Sequence, residues 1–245
     1  MLPKVGHGFS APKNWLPQFK AAFAQLTEHP TVPTPNAGLD DLPLVEVPAR
    51  SAERQQLAVM ISGDGGWAGI DRQLADNLAA HGLPVVGLNS LNYFWSGCTP
   101  DSAAQDLERI LKHYLQAWEK DHAILIGYSL GADVLPFMAA RLSADLRSRI
   151  GLIALLGPSR ETAFEFHLSD WFGTGTQAKQ YPLLPEVKNL QDLHILCLYG
   201  EKENDSLCRE TLPASVKKIP LSGGHHFGGD YESIAGYILQ ALEKP

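Results

Sequence analysis

The stretch Ala123-Ile124-Leu125-Ile126-Gly127-Tyr128-Ser129-Leu130-Gly131-Ala132-Asp133 decides how the chain is read. A short apolar run, suited to a buried strand, enters a Gly-x-Ser-x-Gly turn, and a helical pattern begins at once on its far side. Glycines at 127 and 131 permit close backbone approach, so the strand can reverse sharply into the helix. The hydroxyl of Ser129 then stands exposed at the tip of the turn. The helix N-terminus behind it favours negative charge developing nearby. The Gly-x-Ser-x-Gly pattern alone is weak; its strand–turn–helix setting makes Ser129 a candidate nucleophile.

A serine hydroxyl at its ordinary pKa is a poor nucleophile. It needs a histidine base, and that base needs a carboxylate to orient it, in the chain order serine, acid, histidine for a turn of this kind. Downstream, the apolar run Leu193–Tyr199 is followed by Gly200-Glu201-Lys202-Glu203-Asn204-Asp205. The run Val216–Ile219 is followed by Ser222-Gly223-Gly224-His225-His226-Phe227. The reading favours His225 as base, with His226 as its alternative, and Asp205 over Glu203 as acid. Acyl transfer also needs two backbone donors for an oxyanion. Leu130 N–H is one. The other is expected from Asp64 or Gly65 in the loop Ser62-Gly63-Asp64-Gly65-Gly66-Trp67, with Trp67 a candidate substrate contact. That loop lacks the Gly-Lys-Ser/Thr ending of a P-loop and the spacing of a dinucleotide site, so no cofactor is expected.

Outward from this centre, apolar runs alternate with helical patterns, the signature of βα units building a mainly parallel sheet flanked by helices. Strands are expected at Leu44–Val47, Leu57–Ile61, Pro84–Leu88, Ala123–Ile126, Ile150–Leu156, Leu193–Tyr199 and Val216–Ile219. Amphipathic helices are expected over Ile70–His81 and Ser102–Trp118, with further helices over Gly131–Leu142 and Tyr231–Leu242. With the serine turn, this pattern predicts an α/β-hydrolase fold over residues 44–245. Residues 1–43, rich in proline around one helical stretch at Trp15–Leu26, read as an N-terminal extension. The long connection from Pro158 to Asn189 carries Phe164, Phe166, His167, Trp171, Phe172 and Tyr181, and a loop of that length suggests function or mobility.

Composition removes several alternatives. The 245 residues are 44% hydrophobic and 19% charged, with a formal net charge of −7. No basic stripe is present to neutralise phosphates, so nucleic acid is not an expected partner. The apolar runs fall far short of the ~20 residues that span a bilayer, so no transmembrane segment is expected. The three cysteines, Cys98, Cys197 and Cys208, fit no zinc spacing, and no metal site is expected. They read either as small buried apolar residues or, for Cys197 and Cys208, as a disulfide.

The segments Ser62–Trp67, Leu91-Asn92-Tyr93-Phe94-Trp95 with Thr99-Pro100, Ile126–Phe137 and Gly223–Phe227 together resemble the VirJ/AcvB family of bacterial virulence proteins. The resemblance implies an α/β-hydrolase-like fold and a periplasmic location. It also implies cleavage of the aminoacyl ester of lysyl-phosphatidylglycerol and a link to type IV secretion, with secreted effectors or the secretion machinery as possible partners. The chain itself opens Met-Leu-Pro-Lys without an export signal, so the location rests on the family. An aminoacylated phospholipid would need a carboxylate for its ammonium, for which Glu161, Glu165 and Asp170 are candidates. It would also need an apolar slot, for which Phe164, Phe166, Trp171 and Phe172 are candidates. Two rivals stand beside this reading: a non-catalytic scaffold that binds secretion substrates, and a carboxylesterase or thioesterase of other specificity.

Overall fold

A computed structural model describes residues 38–164 and 179–243. The expected N-terminal helix and the site candidates Glu165, Phe166, His167, Asp170, Trp171 and Phe172 lie outside them.

Among the described residues, seven strands form one sheet in the order β1-β3-β2-β4-β5-β8-β9. They are β1 Leu44–Val47, β2 Gln56–Ile61, β3 Val85–Leu88, β4 His122–Tyr128, β5 Ile150–Leu156, β8 Ile195–Gly200 and β9 Val216–Leu221. Only β1 runs antiparallel, against β3; every other pairing is parallel. The central strands are apolar on both faces because both faces are covered, as parallel crossovers require. Among the described residues β9 is an edge strand, with exposed Lys217 and Lys218 and with Pro220, residues that discourage further pairing.

Helices α1 Ile70–Ala80 and α7 Tyr231–Leu242 pack together over one face. Their Leu74, Leu78, Ile234 and Ile238 meet Ala58, Met60, Ile124, Ile126 and Leu196 of the sheet in a single apolar cluster. α2 Ser90–Tyr93 is a short turn after β3. α3 Pro100–Ala117 and α4 Leu130–Ala140 pack on each other, and α4 also contacts α6 Leu183–Asn189. α5 Ala144–Ser148 leads into β5. α3 starts two residues earlier than the apolar periodicity suggests. Thr99 and Ser102 cap each other's backbone N–H groups, and Pro100 takes the first helical position, where its missing N–H costs nothing.

The connection from Pro158 to Asn189, read from sequence as one long loop, contains regular structure at its described ends. β6 Glu161–Thr162 pairs with β7 Tyr181–Pro182, and α6 follows directly. Leu183, Val187 and Leu190, spaced four and three residues apart, are fully buried there, a helical spacing that the aromatic residues of the segment obscured.

Candidate active site

β4 is central in the sheet, flanked by β2 and β5, and it delivers the turn. Ser129 adopts φ 53° and ψ −119°, a left-handed conformation that a residue with a Cβ rarely takes and that is found where surrounding structure enforces it. The glycines on either side explain how. A Cβ on Gly131 would lie 2.1 Å from the carbonyl oxygen of Ile61, and one on Gly127 would lie 2.4 Å from that of Gly131. The helix therefore presses against β2 and β4 at a distance only glycine allows. Ser129 N–H donates to Leu156 O at 2.9 Å, fixing the turn against β5. Ser129 stays partly exposed while Tyr128 beside it is buried.

Two turns at the same ends of β8 and β9 meet this serine. Ser129 Oγ lies 2.8 Å from His225 Nε2. His225 Nδ1 in turn lies 2.5 Å from Glu203 Oε1. Glu203 Oε2 accepts the N–H of Gly200 at 2.5 Å, so both carboxylate oxygens are held. The expected placement of Asp205 against the histidine is thus corrected: Glu203 lies against the imidazole, and Asp205 is exposed. The reason lies in the turn. Glu203 N–H bonds back to Gly200 O at 2.9 Å, which folds the longer side chain inward, while Asp205 falls on the outward side.

His225 and His226 separate cleanly. His226 turns to Tyr128, its Nδ1 3.0 Å from the phenol oxygen, which also lies 3.4 Å from His225 O. The Tyr128 ring lies 5.4 Å from that of His225, and burial pushes its hydroxyl pKa well above the usual phenol range. Tyr128 thus remains a neutral phenol bracing the histidine turn. Gly157, at φ +63° after β5, was missed from sequence. A Cβ there would come within 2.9 Å of His225 Cε1 and 3.4 Å of Glu203 Oε1. A glycine closing a buried strand was the available signal.

The glycine loop after β2 lies against the serine turn, since a Cβ on Gly63 would fall 3.5 Å from Ser129 Cβ. Ser62 and Ser90 anchor its base: Ser90 N–H donates to Ser62 Oγ at 2.9 Å and Ser90 Oγ–H to Ser62 O at 2.6 Å. Gly63 N–H is taken by Asp71 Oδ1 at 3.3 Å. The N–H groups of Asp64, Gly65 and Leu130 meet no acceptor among the described residues. They are the expected oxyanion donor Leu130 and the two alternatives, Asp64 and Gly65, for the second.

Trp67 is corrected. It is buried in the core, packed so tightly on β3 that a Cβ on Gly87 would lie 2.2 Å from its ring, and so it is a wall residue instead of a substrate contact. Phe164 is likewise buried, edge-on to Phe94, Phe137 and Tyr181, and offers no open slot. Glu161 is exposed on β6.

Two buried carboxyls frame the centre. Burial pushes Asp71 up to about 7, against the Gly63 and Ala68 amides that favour its charge. Burial likewise raises Asp133, on α4, to about 7, although it accepts Ser159 N–H at 2.6 Å. The charge of Asp64 adds to both shifts. No described helix is long and apolar enough to cross a membrane.

Comparison with solved structures supports the architecture. MenH from S. aureus superposes with TM-score 0.60 at 15% identity, covering 82% of this chain and 98% of that one. The esterase domain of a Rhodothermus marinus protein gives 0.58 at 11% identity, covering 82% and 92%. Est1E from Butyrivibrio proteoclasticus gives 0.55 at 13%, covering 84% and 97%. At these identities the likeness establishes the α/β-hydrolase fold. No curated protein sequence matches the chain. The model of the bacterial virulence protein family VirJ matches residues 55–245. That match spans β2 to α7 with the serine, glutamate and histidine turns, and the chain belongs to the VirJ family.

Proposed function

We propose that the protein is a serine ester hydrolase acting on the aminoacyl ester of lysyl-phosphatidylglycerol in the periplasm, in service of virulence and type IV secretion. The observation that carries the hydrolase reading is the continuous contact from Ser129 Oγ through His225 to Glu203. Ser129 attacks the ester carbonyl while His225 Nε2 takes its proton, and Glu203 stabilises the imidazolium. Leu130 N–H and Asp64 or Gly65 N–H hold the oxyanion. Collapse expels the glycerol oxygen, which receives the proton from His225 and leaves lysine esterified to Ser129. Water, deprotonated by His225, then frees lysine and restores the serine. The structural neighbour named as an esterase domain lends weight to ester chemistry. The Cys197–Cys208 disulfide suits an oxidising compartment. Glu161, Glu165 and Asp170 remain the proposed partners of the substrate ammonium.

The test pairs two measurements on wild type and Ser129→Ala. A fluorophosphonate should label the wild type alone, and free lysine should appear from lysyl-phosphatidylglycerol in mixed micelles with the wild type alone. Labelling without lysine release under any lipid condition would leave a serine esterase of other specificity. Full labelling of Ser129→Ala would remove Ser129 as nucleophile.

A further inference from the structure

Glu203 lies inside a loop that is closed covalently. Cys197, in β8, is bonded to Cys208, in a single helical turn after the acid loop, with 11 residues of separation. Both sulfurs are fully buried. Next to Cys208, the exposed Arg209 reaches back along the loop. Its Nε donates to the carbonyl oxygen of Glu203 and its Nη2 to that of Glu201, both at 2.6 Å. The guanidinium also stacks over Tyr199, 5.0 Å from the ring centre.

The near end of the loop is held by the histidine turn, with Glu201 N–H donating to Leu221 O and Lys202 N–H to Gly223 O. At the far end, Leu207 N–H and Ser206 Oγ–H bond to Pro158 O. The disulfide is the covalent anchor from which Arg209 acts.

From this arrangement we propose that the Cys197–Cys208 disulfide and Arg209 together form the positioning device for Glu203, so that chemistry at Ser129 requires a chain that has been oxidised. The inference rests on the hydrolase reading above and adds its regulation. Formation is a two-electron exchange in which both thiols and a low-molecular-weight disulfide give the protein disulfide and two small thiols. Without the cross-link the loop regains conformations that it otherwise loses. Arg209 then has no fixed base, and the carboxylate drifts from Nδ1. Because both sulfurs are buried, thiolates reach them poorly in the folded protein. Oxidation therefore acts as a single licensing event during folding.

The experiment compares wild type, Cys197→Ala/Cys208→Ala, Arg209→Ala and Arg209→Lys on p-nitrophenyl acetate. It also follows the far-downfield proton resonance of His225 Nδ1–H, which reports the Glu203 contact without turnover. The double variant and Arg209→Ala should lose about tenfold or more in kcat, as small misplacements of catalytic groups do, with KM within about twofold. Their downfield resonance should broaden or vanish, and Arg209→Lys should recover part of both signals. Arg209 is exposed, so its variants keep the inference testable if the double variant fails to fold. A folded double variant or Arg209→Ala with wild-type kcat and an undiminished resonance overturns it. If the wild type shows the resonance but neither hydrolyses nor labels, and the variants lose the resonance, the hydrolase reading falls and the positioning role stands.

Discussion

Glu203 and His225 meet at 2.5 Å, carboxylate against ring nitrogen, across a sequence separation of 22 residues. The geometry assigns Nδ1 as the protonated nitrogen, leaving Nε2 free to accept from Ser129. Glu203→Gln presents an amide that no longer stabilises an imidazolium, and kcat should fall by ~10²–10⁴. Asp205→Asn, on the exposed side of the turn, should stay within about twofold. Steady-state kinetics on an activated ester ranks the two, and the reverse order would return the acid to Asp205.

His225→Ala should cost at least ~10³ in kcat, because it removes the base itself. His226→Ala removes the contact to Tyr128 at 3.0 Å and an edge-on ring contact with His225, but not the base, and should cost about tenfold or less. The Tyr128→Phe variant should cost at least as much as His226→Ala, since it breaks that contact and also the one from the phenol to His225 O. A larger loss at His226 than at His225 would exchange their roles.

Gly157→Ala places a methyl within 3.0 Å of His225 Nδ1 at a backbone φ of +63°. Strain should lower stability by about 1–2 kcal/mol. Displacement of the ring should lower kcat by about 10²-fold, a loss out of proportion to the stability change. Urea unfolding beside kinetics separates the two effects, and an unchanged kcat would show that the ring tolerates the methyl.

The buried carboxyls set a pH dependence of stability. Asp71 and Asp133 move from 3.8 to about 7 on folding, so between these values the native state binds more protons than the unfolded chain. Stability from these groups is then complete below about pH 4 and is lost as pH rises through about 7. Asp71→Asn keeps an acceptor for Gly63 N–H without that cost. It should match the wild type near pH 4 and exceed it at pH 8 by roughly 2 kcal/mol or more. Urea unfolding at the two pH values reads the difference, and a variant equally or less stable at pH 8 would contradict the assignment.

Much of this was legible in advance because local pattern and tertiary role coincide. β1 and β5 fall on the expected residues, since apolar runs bounded by turns have few alternatives in a parallel sheet. The sharp turn at Ser129 was legible because its glycines are demanded by contacts a few residues away. Glu203 was not, because two carboxylates in one short turn differ only in which way the backbone points them. Trp67 and Phe164 misled for a related reason: an aromatic side chain beside a candidate site reads the same whether it faces the cavity or the core. Arg209 acts through backbone carbonyls, which leave no trace in residue type.

The serine and the histidine do not rest on equally firm ground. β4 is paired on both sides, whereas β9, which leads into the histidine turn, has β8 alone as neighbour among the described residues. Edge strands open at lower free energy than central ones. On mild heating or in dilute denaturant the base should therefore leave first, while the nucleophile still stands in its turn and the sheet still gives a native signal. Loss of turnover and loss of fold are then separate thresholds, and the β8–β9 pairing, with the few contacts that hold the histidine turn, sets the margin between them.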